Sequence, residues 1–331
     1  MIRKALLAGA MLLPMTAARA DTDRQAESNS IWTIRGENDV ISTMPRGSDQ
    51  NYTSGQQIGW TSGTDMVPEF AGDLSHSLQG DGTVRIGIEL TQQFFTPANK
   101  ALTNPDPRDR PYAGYLAATG LLLRDAGNSR DVLSLSLGVI GPLAQAEETQ
   151  NSVHSLIRDA HASGWSHQLP NEVAVELFDQ RTWRVPIGQF AGLEADVLPA
   201  LALGAGTVRD YAQASTVLRI GQGLTNDFGI ARIRPGISGG DAYGASDSVS
   251  WYVFAGADGQ AVARDAFLDG DLFSRSAHVQ HLPLVGELEA GFGLIWRGVR
   301  LSYVQTWQTA EFRHQSPSQF NFGSLALSVR F

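Results

Sequence analysis

Seven polar residues of types that could do chemistry fall in four short segments of the first half of the chain. Asp39 and Thr53 stand out among them, because a carboxylate with neighbouring oxygen donors is what a hard cation such as calcium binds. Whether the seven can act together depends on the structural elements that carry them. They are Asn38, Asp39, Thr53, Asn99, Lys100, Asn151 and His154.

Alternation of apolar and polar residues predicts that those elements are β-strands. From Val84 to Thr91, apolar side chains at even positions alternate with polar ones or glycine at odd positions, and a period of two also runs through 132–139 and 324–331. A strand, whose side chains point to two faces in turn, produces this pattern, and a helix does not. Twelve strands are predicted near 30–40, 52–63, 83–96, 112–124, 131–141, 170–183, 187–203, 212–222, 248–263, 282–296, 298–312 and 319–331.

Twelve strands favour a closed antiparallel barrel that spans a membrane. Each predicted strand is long enough to cross a bilayer when tilted, and an even number places both chain ends on the same side. Closure also removes the unpaired edges that lipid would not tolerate. The predicted fold is therefore an all-β, twelve-stranded transmembrane β-barrel over 21–331. The alternative is a soluble β-sandwich or lipocalin-like barrel, because alternation alone leaves open which face is wet.

Aromatic residues near the predicted strand ends favour the membrane alternative. They are expected to form a girdle at the membrane interface. The last strand ends on Phe331. In this it resembles outer-membrane barrels, whose C-terminal aromatic residue is commonly recognised by the assembly machinery. The girdle candidates are Trp32, Trp60, Phe94, Phe95, Tyr112, Tyr115, Trp183, Trp251, Trp296 and Trp307.

The first twenty residues are predicted to be a secretory signal peptide. Arg3 and Lys4 form a positively charged start, Ala5–Met15 is apolar, and Ala18-Arg19-Ala20 offers the small residues of a cleavage site. The apolar run is too short for a membrane anchor. We therefore expect an exported protein of the bacterial outer membrane, with a mature chain that begins at Asp21.

Composition and charge exclude several classes of function. The chain has no cysteine, which excludes a disulfide scaffold and a cysteine zinc site. The net charge is −9, and removal of the three basic residues of the signal peptide leaves −12, which argues against nucleic acid as a partner. The segment 236–240 matches G-x-S-x-G, but it lies in a Gly/Asp-rich stretch away from any predicted helix, and the pattern marks a nucleophile only at a strand–turn–helix corner.

Barrel topology brings the seven polar residues to one end. If the N-terminus is periplasmic, the first strand runs outward, and the segments that follow strands one, three and five are extracellular. The last of these, 146–163, is predicted to be a helix. Glu147 and Glu148 suit its N-terminal dipole, and Val153 and Leu156 begin an apolar stripe that could lie against the barrel rim.

Strand parity places Asp39 and Thr53 side by side inside the outer rim. Trp32 and Ile34 share the lipid face of the first strand, so Asp39 faces the lumen, and Thr53 faces inward because Ile58 faces lipid. Taken singly, Asp39 and Thr53 are ordinary lumen side chains. Lys100 and His154, taken singly, are ordinary surface residues. The residues alone therefore leave both an enzyme and a non-catalytic barrel open.

A series of motifs resembles the outer-membrane lipid A 3′-O-deacylases, the LpxR family. The resemblance runs in order over most of the mature chain and is strongest in residues 30–175. The C-terminal half adds mainly the barrel pattern. The motifs are Glu37-Asn38-Asp39, Asn51-Tyr52-Thr53-Ser54-Gly55, Phe95-Thr96-Pro97-Ala98-Asn99-Lys100, Arg110-Pro111-Tyr112-Ala113-Gly114, Gly138-Val139-Ile140-Gly141-Pro142, the segment from Glu147 to His154, and the segment from Gly164 to Glu172.

The resemblance implies a twelve-stranded barrel that hydrolyses the 3′-linked acyl ester of lipid A, the anchor of lipopolysaccharide, with calcium near the outer rim. Asn38 and Asp39 match the active-site pair beside the metal, Thr53 matches their companion on the next strand, and we expect Asp39 and Thr53 to bind Ca²⁺. His154 matches the histidine that activates water, a task that suits neutral imidazole. Lys100 matches the cation near the developing oxyanion. We expect a monomer surrounded by outer-membrane lipids.

One position departs from the family pattern. Ala160 stands where the family has an acidic residue, six positions after the histidine. Asp159 would have to substitute, although one helical position rotates a side chain by about 100°.

Two other classes of function stay open. One is a small porin or adhesin, although small barrels usually fill their lumens with side chains. The other is a different outer-membrane lipid hydrolase such as a phospholipase, which should carry a serine paired with an inward histidine on the outer wall of the barrel, and no convincing pair is found.

Overall fold

The computed structural model describes residues 28–42, 50–233, 241–245 and 248–331. The predicted signal peptide (1–20) and the motif at 236–240 lie outside the described residues. Most of the described chain forms a single antiparallel sheet. Its strands are β1 (Ile31–Asn38), β2 (Asn51–Thr61), β3 (Thr83–Thr96), β4 (Ala113–Ala126), β5 (Ser129–Ile140), β6 (Glu172–Trp183), β7 (Val185–Phe190), β8 (Leu193–Gly206), β9 (Arg209–Gln222), β10 (Ser250–Asp265), β11 (Leu284–Trp296), β12 (Val299–Thr309) and β13 (Gln319–Arg330).

The sheet closes into the predicted barrel of twelve wall strands. Sequence neighbours pair with one another, and β1 pairs with β13, which joins the two ends of the chain. The segments β6 and β7 form one wall strand interrupted at Arg184, since β6 pairs with the second half of β8 and β7 with the first half. The fold predicted from alternation is confirmed.

The predicted boundary between the sixth and seventh strands is wrong. The chain does not turn between 183 and 187 but continues to Phe190, turns at Ala191 and Gly192 with φ of 51° and 80°, and returns as β8. Pro186 and Gly188 predict a loop, because proline lacks an N–H donor and glycine has no side chain that could pack. In the structure these residues shift the ladder register within the strand.

Burial shows which face of the barrel is wet. Arg35 and Glu37 point into the lumen and are 2% and 1% exposed, whereas Ile34 and Ile88 on the outer face are 63% and 61% exposed. An apolar outer face around a charged interior is the pattern of a membrane barrel. The soluble alternative is therefore wrong.

Four residues assigned to the aromatic girdle are not on the outer surface. Phe95 and Tyr115 are buried against Phe267 in the lumen, with 4.2 Å between the ring centroids of Phe95 and Phe267. Phe94 and Tyr112 are buried in a separate cluster beneath an outer loop. Trp32 and Trp296, in contrast, are about half exposed on the outer face, as a girdle requires.

Helices are few and short: α1 (Glu69–Gln79), α2 (Ala146–Ile157) and α3 (Ala266–Asp269). The predicted extracellular helix is α2, which ends six residues early because Arg158 takes a left-handed conformation with φ of 62°. The sequence did not predict α1, which lies at the end of the barrel that carries both termini. Within the described ranges, none of the helices has the length and apolarity to span a bilayer.

A segment between β9 and β10, described for 223–233 and 241–245 and called the inner segment below, enters the lumen from the end that carries the termini. Its Arg232 lies 2.6 Å from Glu287 and from Thr306 on the wall. Its Asp241 lies 2.6 Å from Arg35 and 3.1 Å from Arg300. Arg35, Arg232 and Asp241 also line a lumen cavity of about 200 Å³.

Candidate functional site

The first half of the candidate site lies where β1 ends and β2 begins, at the barrel end opposite the termini. Asn38 pairs with Ser54 across the two strands, so Asp39 and Thr53 occupy the next positions. Asp39 is 3% exposed and Thr53 is fully buried. The side-chain oxygen of Asn38 accepts the N–H of Val40 at 2.7 Å, which shapes the turn that follows Asp39. Asp39 thus lies one residue past the end of β1, and Thr53 lies on the neighbouring strand β2.

A β-bulge holds Thr53 in place. The register between β2 and β3 shifts between Tyr52 and Ser54, so Thr53 has no partner residue across the ladder. The bulge also turns Tyr52 inward, where its hydroxyl donates to Glu37 at 2.8 Å. The hydroxyl of Thr53 lies 2.7 Å from that of Thr96. Two threonine hydroxyls are thus held together at the start of β2.

The second half of the site is the C-terminal end of α2 and the loop after it. His154 lies in the last turn of α2 and is 4% exposed. Its Nδ1 atom lies 2.7 Å from the backbone carbonyl oxygen of Ala160. A carbonyl can only accept, so Nδ1 carries the proton in this contact, and Nε2 is the basic nitrogen of the neutral ring.

Asp159 joins this loop to Lys100. Its Oδ2 atom lies 2.7 Å from Lys100 Nζ, and its Oδ1 atom accepts the N–H of Ala160 at 2.7 Å. The hydrogen bond from Lys100, followed by that from the Ala160 backbone, lowers the pKa of Asp159. A smaller charge interaction with His154 acts in the same direction. Asp159 therefore contacts both Lys100 and the backbone N–H of Ala160, the residue whose carbonyl oxygen contacts His154.

Several residues outside the seven support this loop. The backbone oxygen of Lys100 accepts the N–H of Ser163 at 2.8 Å and the hydroxyl of Tyr112 at 3.2 Å. Trp165 packs against Tyr112 with tilted rings, 4.9 Å between centroids, and donates through its indole N–H to Gln150 at 2.8 Å. These contacts explain why aromatic residues recur in the motifs of this region: they anchor the backbone on both sides of the site.

The seven polar residues divide into three groups. Asn38, Asp39 and Thr53 lie where β1 ends and β2 begins, and His154 and Lys100 are linked through Ala160 and Asp159. The side chains of Asn99 and Asn151 instead accept backbone N–H groups, at 3.1 and 3.0 Å, and so shape their loops. Three further residues that the sequence did not single out as site residues support the site, namely Thr96, Gln150 and Tyr112, and all three lie inside the motifs that resemble the family.

The atoms around Asp39 are suited by type to a hard cation. The amide of Asn38, the carboxylate of Asp39 and the hydroxyl of Thr53 offer oxygen only, the donor that calcium prefers. In the described ranges, no group of three or more His, Cys, Asp or Glu residues could hold a metal ion. With a single carboxylate, the donor set fits calcium of low affinity and does not fit zinc.

Comparisons with known proteins agree with the observed barrel fold. A protein-family model described as outer membrane protein LpxR matches residues 5–331. Among solved structures, LpxR from Salmonella typhimurium has a TM-score of 0.73 and 20% identity, over 91% of this chain and 100% of that one. The β domain of the Bordetella autotransporter BrkA reaches a TM-score of only 0.42 at 12% identity, over 92% and 99% of the two chains. No match was found among curated proteins.

Proposed function

The chain belongs to the LpxR family of outer membrane proteins, and we propose that it is a calcium-dependent hydrolase that removes the 3′-linked acyl chain of lipid A. Its place in the bacterial outer membrane follows from the family and from the barrel. The observation that carries the proposal is the arrangement at the outer end, where the buried His154 has a fixed tautomer and Lys100 is linked to the same loop through Asp159. Neither residue type is needed to close a barrel.

His154 is the proposed general base. With Nδ1 donating to Ala160, Nε2 takes a proton from water as the water oxygen attacks the ester carbonyl carbon. The tetrahedral intermediate then loses the sugar oxygen, and the same nitrogen returns the proton to that oxygen. A free fatty acid and a sugar hydroxyl result, so the atoms and protons balance.

Lys100 is the proposed stabiliser of the oxyanion. Its ammonium carries three N–H donors and a positive charge, and Asp159 holds it in place, with 2.7 Å between Nζ and Oδ2. Donors held in place before the reaction stabilise the charge that grows on the carbonyl oxygen. Asn38, Asp39 and Thr53 would hold calcium, which would add a second positive charge at this end of the barrel when bound.

The surroundings of α2 favour a lipid as substrate. Leu143, Leu156 and Ile157 are 63%, 84% and 60% exposed. An exposed apolar face beside the outer rim suits contact with acyl chains of the outer leaflet. A substrate embedded in that leaflet would meet the site without leaving the membrane.

The test is mass spectrometry of lipid A from cells that express His154→Ala or the unchanged protein. We expect His154→Ala to abolish hydrolysis while the barrel stays folded, as judged by heat-modifiable gel mobility. General-base assistance contributes about 10²- to 10⁴-fold. The matched control is His161→Ala, because His161 is exposed in the same loop and contacts Ser155 instead. A folded His154→Ala protein with near-normal turnover would contradict the proposal.

The alternative of a small porin is disfavoured by the lumen. The inner segment crosses it with Arg232 and Asp241 in ionic contact with the wall, and Phe95 and Phe267 stack nearer the outer end. In planar bilayers we therefore expect no steady ion conductance. Open channels of the unchanged protein would return the porin to consideration.

A further inference from the structure

The exposed side of α1 presents an apolar stripe that the barrel does not cover. Phe70, Leu74 and Leu78 follow at intervals of four residues and are 75%, 46% and 59% exposed. At 100° per residue they span a single arc of about 80° on the helix. The neighbouring arc carries Ala71 and Ser75, which are buried against the barrel.

The remaining arc of α1 is polar. Glu69, Asp73 and His76 lie on it, and all three are exposed. The helix thus has one face on the protein, one apolar face and one polar face. A helix with this division lies in the interface plane of a membrane.

The outer wall beneath α1 explains why the helix is there. Arg124, Asp131 and Arg181 are consecutive partners across β4, β5 and β6. Asp131 has the same parity as Leu135 and Leu137, which are 46% and 55% exposed on the outer face. Asp131 pairs with both arginines. Charged side chains on the lipid face of a barrel are destabilising.

The end of α1 covers part of this ionic cluster. Arg124 donates to the backbone oxygen of Asp81 at 2.6 Å, just after the helix. Arg124 and Asp131 are only 6% and 3% exposed although they point away from the lumen. Leu78 and Gln79 line a groove together with outward residues of β5 and β6. The helix therefore lies against the outer wall, and its apolar stripe continues the apolar surface of the barrel.

From this continuity we infer that α1 is an interfacial anchor in the periplasmic leaflet of the outer membrane. Phe70, Leu74 and Leu78 lie among phospholipid acyl chains, and the body of the helix shields the Arg124–Asp131 pair from lipid. The polar arc contains no lysine or arginine, so the anchoring depends on apolar burial and needs no anionic lipid. This inference is independent of the proposed enzymatic activity.

The absence of cysteine in the sequence makes the test direct. Single variants Leu74→Cys, Phe70→Cys and His76→Cys carry a nitroxide spin label in phosphatidylcholine vesicles, with Ile88→Cys on the outer wall as the reference for lipid. We expect the labels at 70 and 74 to resemble that at 88, with a high ratio of oxygen to nickel-complex accessibility. The label at 76 should show the reverse ratio.

Heat-modifiable mobility confirms that each labelled protein is folded, and Phe70→Cys carries the test if Leu74→Cys does not fold. Labels at 70 and 74 that are as accessible to the nickel complex as the label at 76 would overturn the inference, because the stripe would then face water. Labels inaccessible to both reagents would also overturn it, because the stripe would then be covered by protein.

Discussion

The Nδ1 atom of His154 lies 2.7 Å from the backbone carbonyl oxygen of Ala160. The resemblance to the family implies an acidic residue at position 160, where this chain has Ala160, and the ring contacts the neutral backbone oxygen of that residue. The carbonyl fixes the same tautomer that a carboxylate would fix. It does so without a negative charge, and that charge would favour the protonated ring.

The first prediction restores the acidic residue. In Ala160→Glu, a carboxylate beside the ring should stabilise its protonated form, because an opposite charge within about 4–6 Å favours the charged state. The acid limb of the pH–rate profile should therefore move to higher pH, by about one unit or more. Ala160→Gln is the neutral control of similar size, and an equal shift in both variants would show that side-chain bulk and not charge is responsible.

The second prediction separates Lys100 from Asp159. Lys100→Ala should lower the rate of lipid A hydrolysis by at most about 10²- to 10³-fold, the loss typical of one oxyanion donor. Asp159→Asn keeps an acceptor and loses only a partly exposed ion pair, so its deficit should stay below about tenfold. Both rates are measured on folded protein in detergent. A larger loss in Asp159→Asn than in Lys100→Ala would contradict this order.

The third prediction concerns the pH at which the ion pair between Lys100 and Asp159 is lost. Because the pKa of Asp159 is lowered in the folded protein, the pair is fully present above the ordinary aspartate pKa of about 3.9 and is lost as the pH falls further. Asp159→Asn should therefore change the rate by the same factor at every pH above about 5, where the pair is fully formed. A ratio of variant to unchanged rates that varies with pH in that range would contradict the prediction.

The barrel could be predicted from sequence because lipid and lumen impose opposite demands on alternate residues. Ile34 and Arg35 are neighbours in sequence yet meet different solvents, so the pattern survives in nearly every strand. The prediction fails where the backbone departs from ideal geometry. Pro186 and Gly188 shift the register of a strand without ending it. In α1, glycine, serine and acidic residues between the apolar ones obscure the helical pattern.

The site could be predicted only in part, for a related reason. Parity places Asp39 and Thr53 inward, and both are buried. Parity cannot reveal the bulge that brings Thr96 beside Thr53, because a bulge breaks the alternation on which parity depends. Nδ1 of His154 contacts a backbone carbonyl oxygen. Every residue has a backbone carbonyl, so the residue types in the sequence do not predict this contact.

The fourth prediction is that activity requires calcium and is lost in excess EDTA. Asp39→Ala should remove both the activity and the stabilisation by calcium, since Asp39 is the only carboxylate proposed to bind the ion. A ligand at one hundred times its dissociation constant stabilises the folded state by about 2.7 kcal/mol. Calcium should therefore raise the temperature at which the unchanged barrel loses heat-modifiable mobility.

The control for calcium is Asp106→Ala, because Asp106 lies in a loop at the same end and pairs with exposed Arg108. This variant should keep both the activity and the calcium-dependent stabilisation. Full activity of the unchanged protein in EDTA would remove calcium from the mechanism. An unchanged calcium effect in Asp39→Ala would place the ion elsewhere.

The last prediction addresses the inner segment, whose Asp241 lies between Arg35 and Arg300 in the lumen. All three side chains are at most 4% exposed, so Asp241→Asn would leave two buried guanidinium groups without their shared counter-charge. Removing one partner of a buried ion pair destabilises a protein by about 3–5 kcal/mol. The variant should therefore lose heat-modifiable mobility at a lower temperature. Asp106→Asn, which alters an exposed pair, should leave that temperature unchanged, and an equal stability of the two variants would mean that the inner segment does not hold the barrel together.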